Sequence, residues 1–164
     1  MVDYAKLVEE EKARQDSTLS AAEIQKRRET DLVALFRDIE TALGEEVTKA
    51  NEELSKTGAP TISGPFRPVI GEERIELALG PVDPACRLTI QSTTTHIALS
   101  RIVVELFGET GVLVAKTEYV TQDEVLPLKV YKSLVEGFPD KDEEITPSVI
   151  AQQIVPGIIR GNFA

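Results

Sequence analysis

The stretch "DLVALFRDIETALGEEVTKANEEL", residues 31–54, decides the fold predicted for this chain. Its apolar residues follow a repeated 4-3-4 spacing, at Leu32, Phe36, Ile39, Leu43, Val47, Ala50 and Leu54. Eleven residues in three turns is close to the natural helix period, so these side chains form a straight stripe along one helix. Such a stripe is typical of a helix lying across a sheet, and it also fits a helix pair between two subunits.

The ends of this helix are marked by residues that favour helix termini. Ser20 and Glu23 fit a capping box, and Gly58 and Pro60 favour a stop, which predicts a helix over 20–57. At roughly 1.5 Å per residue it would reach about 50 Å, so part of it is expected to project or to pair.

The residues before this helix are predicted to be a separate extension. Residues 1–19 are rich in charge, and residues 3–16 could form a separate short helix, with "QDST" as the break before the long helix. We therefore expect a charged extension at 1–19 followed by one domain at 20–164.

Alternating apolar residues from 61 to 121 predict an antiparallel sheet of about five strands. "ERIELALG" and "CRLTIQS" each place their apolar residues on one face, and "GPVDPA" between them supplies turn residues. The opposite faces are polar, so one side of the sheet is expected to be solvated.

The strand after this pair carries two further predictions. In "HIALSRIVVELFG" the apolar positions change from odd to even numbers, which predicts a β-bulge near Ser100 and Arg101. "GETG", residues 108–111, predicts a hairpin turn into the next strand.

The region 125–160 is predicted to be helical. Pro127 and Gly137 favour a short helix over 127–138, although alternating apolar residues would also fit an edge strand. The acidic run "PDKDEEITP" lacks the ligand spacing of a calcium loop and is interpreted as an exposed linker. Thr146 and Pro147 predict the start of a closing helix that breaks near Pro156.

Together these elements predict an α+β fold with a long N-terminal helix, an antiparallel sheet of about five strands and one or two C-terminal helices. The chain has 164 residues, and 18 Lys and Arg face 28 Asp and Glu, a net charge of -10. A field of this sign disfavours nucleic acids and anionic membranes. Because residues 1–12 lack signal-peptide features and no long apolar run follows, we expect a soluble protein of the cytoplasm.

Chemistry-bearing residues are sparse in this sequence. His96 is the single histidine and Cys86 the single cysteine, and phosphate-loop, nucleophile-elbow and zinc-helix motifs are missing. We therefore predict no cofactor and no metal site, and interpret His96 as a polar residue at a strand entry. Thr93, His96 and Arg101 remain candidates for ligand contact.

The leading hypothesis is a non-enzymatic module that forms a homo-oligomer or binds a protein partner. Its candidate interface combines the helix stripe with the apolar C-terminal tail, at Leu32, Phe36, Ile39, Leu43, Val47, Leu54, Ile158, Ile159 and Phe163. The alternative is a small-molecule or lipid-binding domain with a pocket between sheet and helix.

Overall fold

A computed structural model of the chain describes residues 2–68, 73–93, 99–122, 128–135 and 138–163. Side chains are described within these ranges except at 16–22, 24, 25, 28, 92, 93, 99, 122, 133–135 and 138–143. The fold is α+β, as predicted, with two helices flanking seven strands in the described part of the chain.

The first helix, α1, spans Tyr4–Lys56, and its 53 residues reach about 80 Å. Asp3 is its N-cap, and the Asp3 side chain accepts a hydrogen bond from the backbone N–H of Lys6 at 3.2 Å. The predicted start at Ser20 is therefore wrong, and so is the predicted break at 15–18. That segment contains neither glycine nor proline, so nothing in it interrupts a helix. The C-terminal end lies one residue before the predicted position.

Seven strands form one antiparallel sheet in which the spatial order equals the chain order. The strands are β1 Ile62–Phe66, β2 Arg74–Leu79, β3 Val82–Thr93, β4 Leu99–Phe107, β5 Leu113–Gln122, β6 Lys129–Val135 and β7 Phe138–Ile145. The predicted sheet of about five strands is thus extended by two strands at its C-terminal edge.

The hairpins predicted from alternation are confirmed. Leu77 pairs with Cys86 across β2 and β3, and both residues are buried on the face that carries the core. The turn between β4 and β5 places Gly111 at φ 75°, a conformation that favours glycine, and its N–H donates to the carbonyl of Gly108 at 2.9 Å.

The helix predicted over 127–138 is wrong, because Lys129–Val135 forms β6, between β5 and β7. Pairing decides against the helix: Val130 lies opposite Thr121 on β5 and opposite Ile145 on β7, and Val130 and Ile145 are buried. The acidic run interpreted as a linker also belongs to a strand, β7. Charged residues and a proline are compatible with this position, because β7 is an edge strand.

The β-bulge predicted near Ser100 and Arg101 is wrong. The pairing of β3 with β4 runs without a shift from Thr93–Leu99 to Cys86–Leu106. The change of parity needs no extra residue because β4 buries side chains on both faces: Val104 faces the core, and Val103 on the opposite face is also buried.

The closing helix, α2, spans Pro147–Arg160. Its start is confirmed, with the Thr146 hydroxyl accepting from the N–H of Val149 at 3.4 Å. The predicted break at Pro156 does not occur, since the helix continues to Arg160. The neighbours Val155, Gly157 and Ile158 are buried, and this packing holds the helix despite the missing proline N–H.

The core lies between one face of the sheet and the two helices. α1 packs on α2 and on β1. The largest fully buried side chains include Phe36, Ile39 and Leu43 from α1, Tyr119 from β5, and Ile150 and Ile154 from α2.

Candidate functional site

The helix stripe that the sequence suggested as an interface lies in the core of the same chain. Five of the candidate interface residues are buried there: Phe36, Ile39, Leu43, Val47 and Ile158. Leu32, Leu54 and Phe163 are half-buried and pack against that core, whereas Ile159 is exposed. In this fold the stripe joins α1 to its own sheet and to α2.

Polar contacts fix the C-terminal half of α1 to the first strand. The Asn51 side chain forms two hydrogen bonds with the backbone of Ile62. Arg67, which follows β1, donates from Nε to Glu40 on α1 and from a terminal nitrogen to Glu73 at 2.8 Å. The Arg67 guanidinium also lies 4.9 Å from the ring centre of Phe36. Together these contacts fix the orientation of α1 relative to β1.

The preceding part of α1, residues 4–31, is here called the helix arm. It is about 40 Å long and ends where the core stripe begins, at Leu32. None of its described side chains is buried. Tyr4, Leu7 and Val8 are exposed by 70%, 53% and 64%, although their spacing of three and four residues is that of an apolar helix face.

Sequence reasoning missed this apolar group on the helix arm. The sequence pattern places these residues in a separate extension, whereas in the structure they belong to the same helix as the core stripe. The continuous helix places Tyr4, Leu7 and Val8 near the free end of an arm that the core does not cover. Exposed apolar residues grouped in this way are a common feature of protein-binding surfaces.

Charge is unevenly distributed along the helix arm. Residues 4–11 carry three acids and one lysine, a net charge of -2, whereas residues 26–31 carry three basic residues and two acids, a net charge of +1. Glu9, Glu10, Glu11, Lys26 and Arg27 are all exposed. The arm therefore has an acidic end and a basic end. About four turns of helix, centred near residue 18, lie between them.

A second candidate is a cleft at the open end of the sheet, here called the end cleft. It has a volume of about 680 Å³ and lies between the C-terminal end of α2 and the β2–β3 and β4–β5 turns. Its lining is mainly apolar and also contains Glu109 and Arg160; the apolar residues include Leu79, Val82, Ala85, Leu106, Phe107 and Ile159. Clefts of this size and character accommodate small organic ligands.

Of the candidate ligand contacts Thr93, His96 and Arg101, the structure describes the side chain of Arg101 alone. Thr93 ends β3 opposite Leu99, and its side chain is outside the described set, as is the whole of His96. Arg101 is half-buried on the sheet face away from the helices, where its guanidinium lies 3.5 Å from Glu118. Arg101 belongs to neither of the candidate functional surfaces described above.

Burial dominates the behaviour of the two titratable groups in the core. It raises the pKa of the Cys86 thiol, and the nearby Glu105 carboxylate raises it further. Burial also raises the pKa of Tyr119, whose hydroxyl donates to the Gln153 side chain at 2.6 Å and so joins β5 to α2. Cys86 is therefore held as an unreactive thiol rather than as a nucleophile.

Within the described part of the chain, no group of three or more His, Cys, Asp or Glu residues is placed to hold a metal ion. Of the two described helices, neither is both long and apolar enough to cross a membrane. Comparison with protein-family models, with curated proteins and with solved structures finds no match for this chain.

Proposed function

We propose that this protein is a non-enzymatic module that forms homo-oligomers or binds a protein partner. The observation that carries this proposal is the helix arm, which extends α1 well beyond the core and exposes Tyr4, Leu7 and Val8. Intrinsic helix propensity alone stabilises an isolated helix only weakly. Most helices in proteins depend on the packing of an apolar face for their stability. A partner on the arm would supply that packing.

The fold changes which surface should serve as the interface. Leu43 and Val47 belong to the core of one chain, so replacing them would disrupt folding before it tested assembly. The residues to test are therefore the exposed apolar residues of the helix arm, Tyr4, Leu7 and Val8. Contact through these residues would leave the sheet and α2 unchanged.

The proposal is tested by light scattering after size exclusion, over a range of protein concentrations. We expect the unmodified chain to exceed its monomer mass and the Leu7→Glu/Val8→Glu variant to approach it. The matched control is Val112→Glu/Leu113→Glu, because these two residues are also apolar and exposed but lie at the β4–β5 turn. A chain that stays monomeric at every concentration, and that captures no defined protein partner through the arm, would contradict the proposal.

The end cleft supports a second candidate function, the binding of an apolar small molecule or a lipid. Its lining combines aliphatic side chains from four strands and α2 with the charged groups of Glu109 and Arg160. Few polar groups among apolar walls are typical of sites for ligands of this class. Arg160 would suit a ligand with an acidic end.

A thermal-shift series with fatty acids of increasing chain length tests this second function. Ile159→Trp would narrow the cleft, and Val149→Trp is the control because Val149 is an exposed apolar residue of α2 outside the cleft. Stabilisation of the unmodified chain and of the control, but not of Ile159→Trp, would support ligand binding. Equal shifts in both variants would assign the effect to another surface.

A further inference from the structure

We infer that the partner of the helix arm is a second copy of the same arm, and that the two arms pair antiparallel with their midpoint between residues 18 and 19. This inference rests on the proposed function, which it makes specific. In this arrangement, residue 4 of one copy lies opposite residue 33 of the other, and every facing pair of residue numbers sums to 37.

The first argument is charge complementarity. An antiparallel pair places the acidic end of each arm, which includes Glu10 and Glu11, beside the basic end of the other, which includes Lys26 and Arg27. Glu11 and Lys26 fall directly opposite each other in this register. A parallel pair would instead bring acidic ends together and basic ends together, and like charges at close range destabilise an interface.

The second argument is the fit between the length of the helix arm and the position of the core. The arm begins at Tyr4, after the Asp3 N-cap, and the core stripe of α1 begins at Leu32. The proposed register pairs the arms over 4–33, so the overlap covers the exposed part of the helix. It ends where α1 begins to pack against the sheet and α2.

The third argument is the surface at the two ends of this overlap. Val33 is exposed by 36%, and it lines a shallow depression on α1 with Glu29, Thr30, Ala34 and Arg37. Tyr4, exposed by 70%, lies opposite Val33 in the proposed register. An aromatic side chain and a patch with apolar side chains, both uncovered in one chain, would thus be covered by each other at both ends of the pair.

The fourth argument is helical periodicity along the helix arm. Positions 4, 8, 11, 15, 22, 26, 29 and 33 lie on one nearly straight stripe, because 29 residues from the first to the last complete about eight turns. Subtracting each number from 37 returns the same set, so the stripe is complementary to itself in the proposed register. The stripe ends at residue 33, and the apolar residues that follow it, Phe36 and Ile39, are buried in the core.

Charge reversal tests the pairing in the full chain. We expect Glu11→Lys and Lys26→Glu each to weaken self-association about tenfold or more, because each variant places like charges opposite each other twice in the pair. An equal mixture of the two variants should recover the association of the unmodified chain. A dimer that persists unchanged in both variants would overturn this inference and leave the proposed oligomerisation intact, whereas a monomeric unmodified chain would overturn both.

Disulfide formation tests the direction of the pair. Val8→Cys and Glu29→Cys occupy positions whose numbers sum to 37, so the two variants should cross-link to each other on mixing and oxidation, and neither should cross-link to itself. Glu10→Cys, off the stripe, is the matched control for Val8→Cys. The native Cys86 is buried and does not compete. Cross-links between two Val8→Cys chains, or equal yields with Glu10→Cys, would overturn the antiparallel register.

Discussion

Asn51 on α1 binds both backbone polar groups of Ile62 on β1. Its Nδ2 donates to the Ile62 carbonyl at 2.8 Å, and its Oδ1 accepts from the Ile62 N–H at 2.8 Å. Because β1 is an edge strand, the outward backbone groups of Ile62 have no neighbouring strand. One amide side chain on the helix thus takes the place of a missing strand and joins the edge of the sheet to α1.

Replacement of Asn51 by Ala is expected to lower the free energy of unfolding by about 2–3 kcal/mol, since two partly buried backbone groups lose their partners. Asn51→Asp keeps the acceptor but sets a carboxylate oxygen against the Ile62 carbonyl oxygen, so it should cost at least as much as Asn51→Ala. Urea unfolding provides the measurement, and Glu52→Ala at the exposed neighbouring position is the control. Equal stability of Asn51→Ala and the control would show that water replaces the side chain at no cost.

The boundary between the core part of α1 and the helix arm gives a second prediction. Leu43→Ala should lower the free energy of unfolding by about 2–5 kcal/mol, because the side chain is fully buried. Leu7→Ala should change it by less than about 0.5 kcal/mol at concentrations where the chain is monomeric, because that side chain is exposed. Chemical denaturation of both variants measures the contrast, and a large effect of Leu7→Ala in a monomer would contradict the assignment of the arm.

Alkaline pH is expected to destabilise the fold through Cys86 and Tyr119. Burial raises the pKa of both groups in the folded chain, so the folded state retains protons that the unfolded chain releases. Their contribution to stability is complete below about pH 8 and decreases by about 1.4 kcal/mol per pH unit for each group above its unfolded pKa, near 8.5 for Cys and near 10 for Tyr.

Urea unfolding from neutral to alkaline pH measures this loss, and Cys86→Ala should remove its first stage. Tyrosinate absorbance gives an independent measure, because the buried Tyr119 should ionise only as the chain unfolds. Stability that stays constant across this range would argue against burial of both groups.

The ion pairs of Arg67 are expected to contribute little to the free energy of unfolding. Its side chain is about one-third exposed, and so are its partners Glu40 and Glu73. Arg67→Met should therefore cost no more than about 1 kcal/mol, and the cost should decrease at high salt. Thermal unfolding at low and high ionic strength measures it, with Arg14→Met on the helix arm as the control for an exposed ion pair. A cost independent of salt would assign the role of Arg67 to its packing on Phe36 instead.

The sequence correctly predicted those elements whose apolar spacing fits only one type of secondary structure. The 4-3-4 stripe of α1 and the alternation at Leu77 and Cys86 each fit a single period, and both are confirmed by burial. The segment at Val130 fits two periods, and pairing with Thr121 and Ile145 selects the strand. Because these partners are distant in the sequence, the local pattern of residues does not reveal the pairing.

The candidate site was less predictable than the fold. The same apolar stripe serves an intramolecular core or a subunit interface, and the sequence contains no feature that separates these outcomes. Val103 shows a related limit, because a residue can be buried on the polar face of a sheet when its neighbours carry long charged side chains, as Arg101 and Glu118 do here. Recognising the helix arm required the continuity of α1 through 15–18.

The order of the strands has a consequence for how this chain reaches its fold. Each strand pairs only with the strands that directly precede and follow it, so the sheet can grow one hairpin at a time with short loops to close. The packing of α2 against α1 is different, because these two helices stand at opposite ends of the sequence. Folding therefore combines many rapid local steps with one distant closure, and that closure, through residues such as Ile154 and Leu43, completes the core.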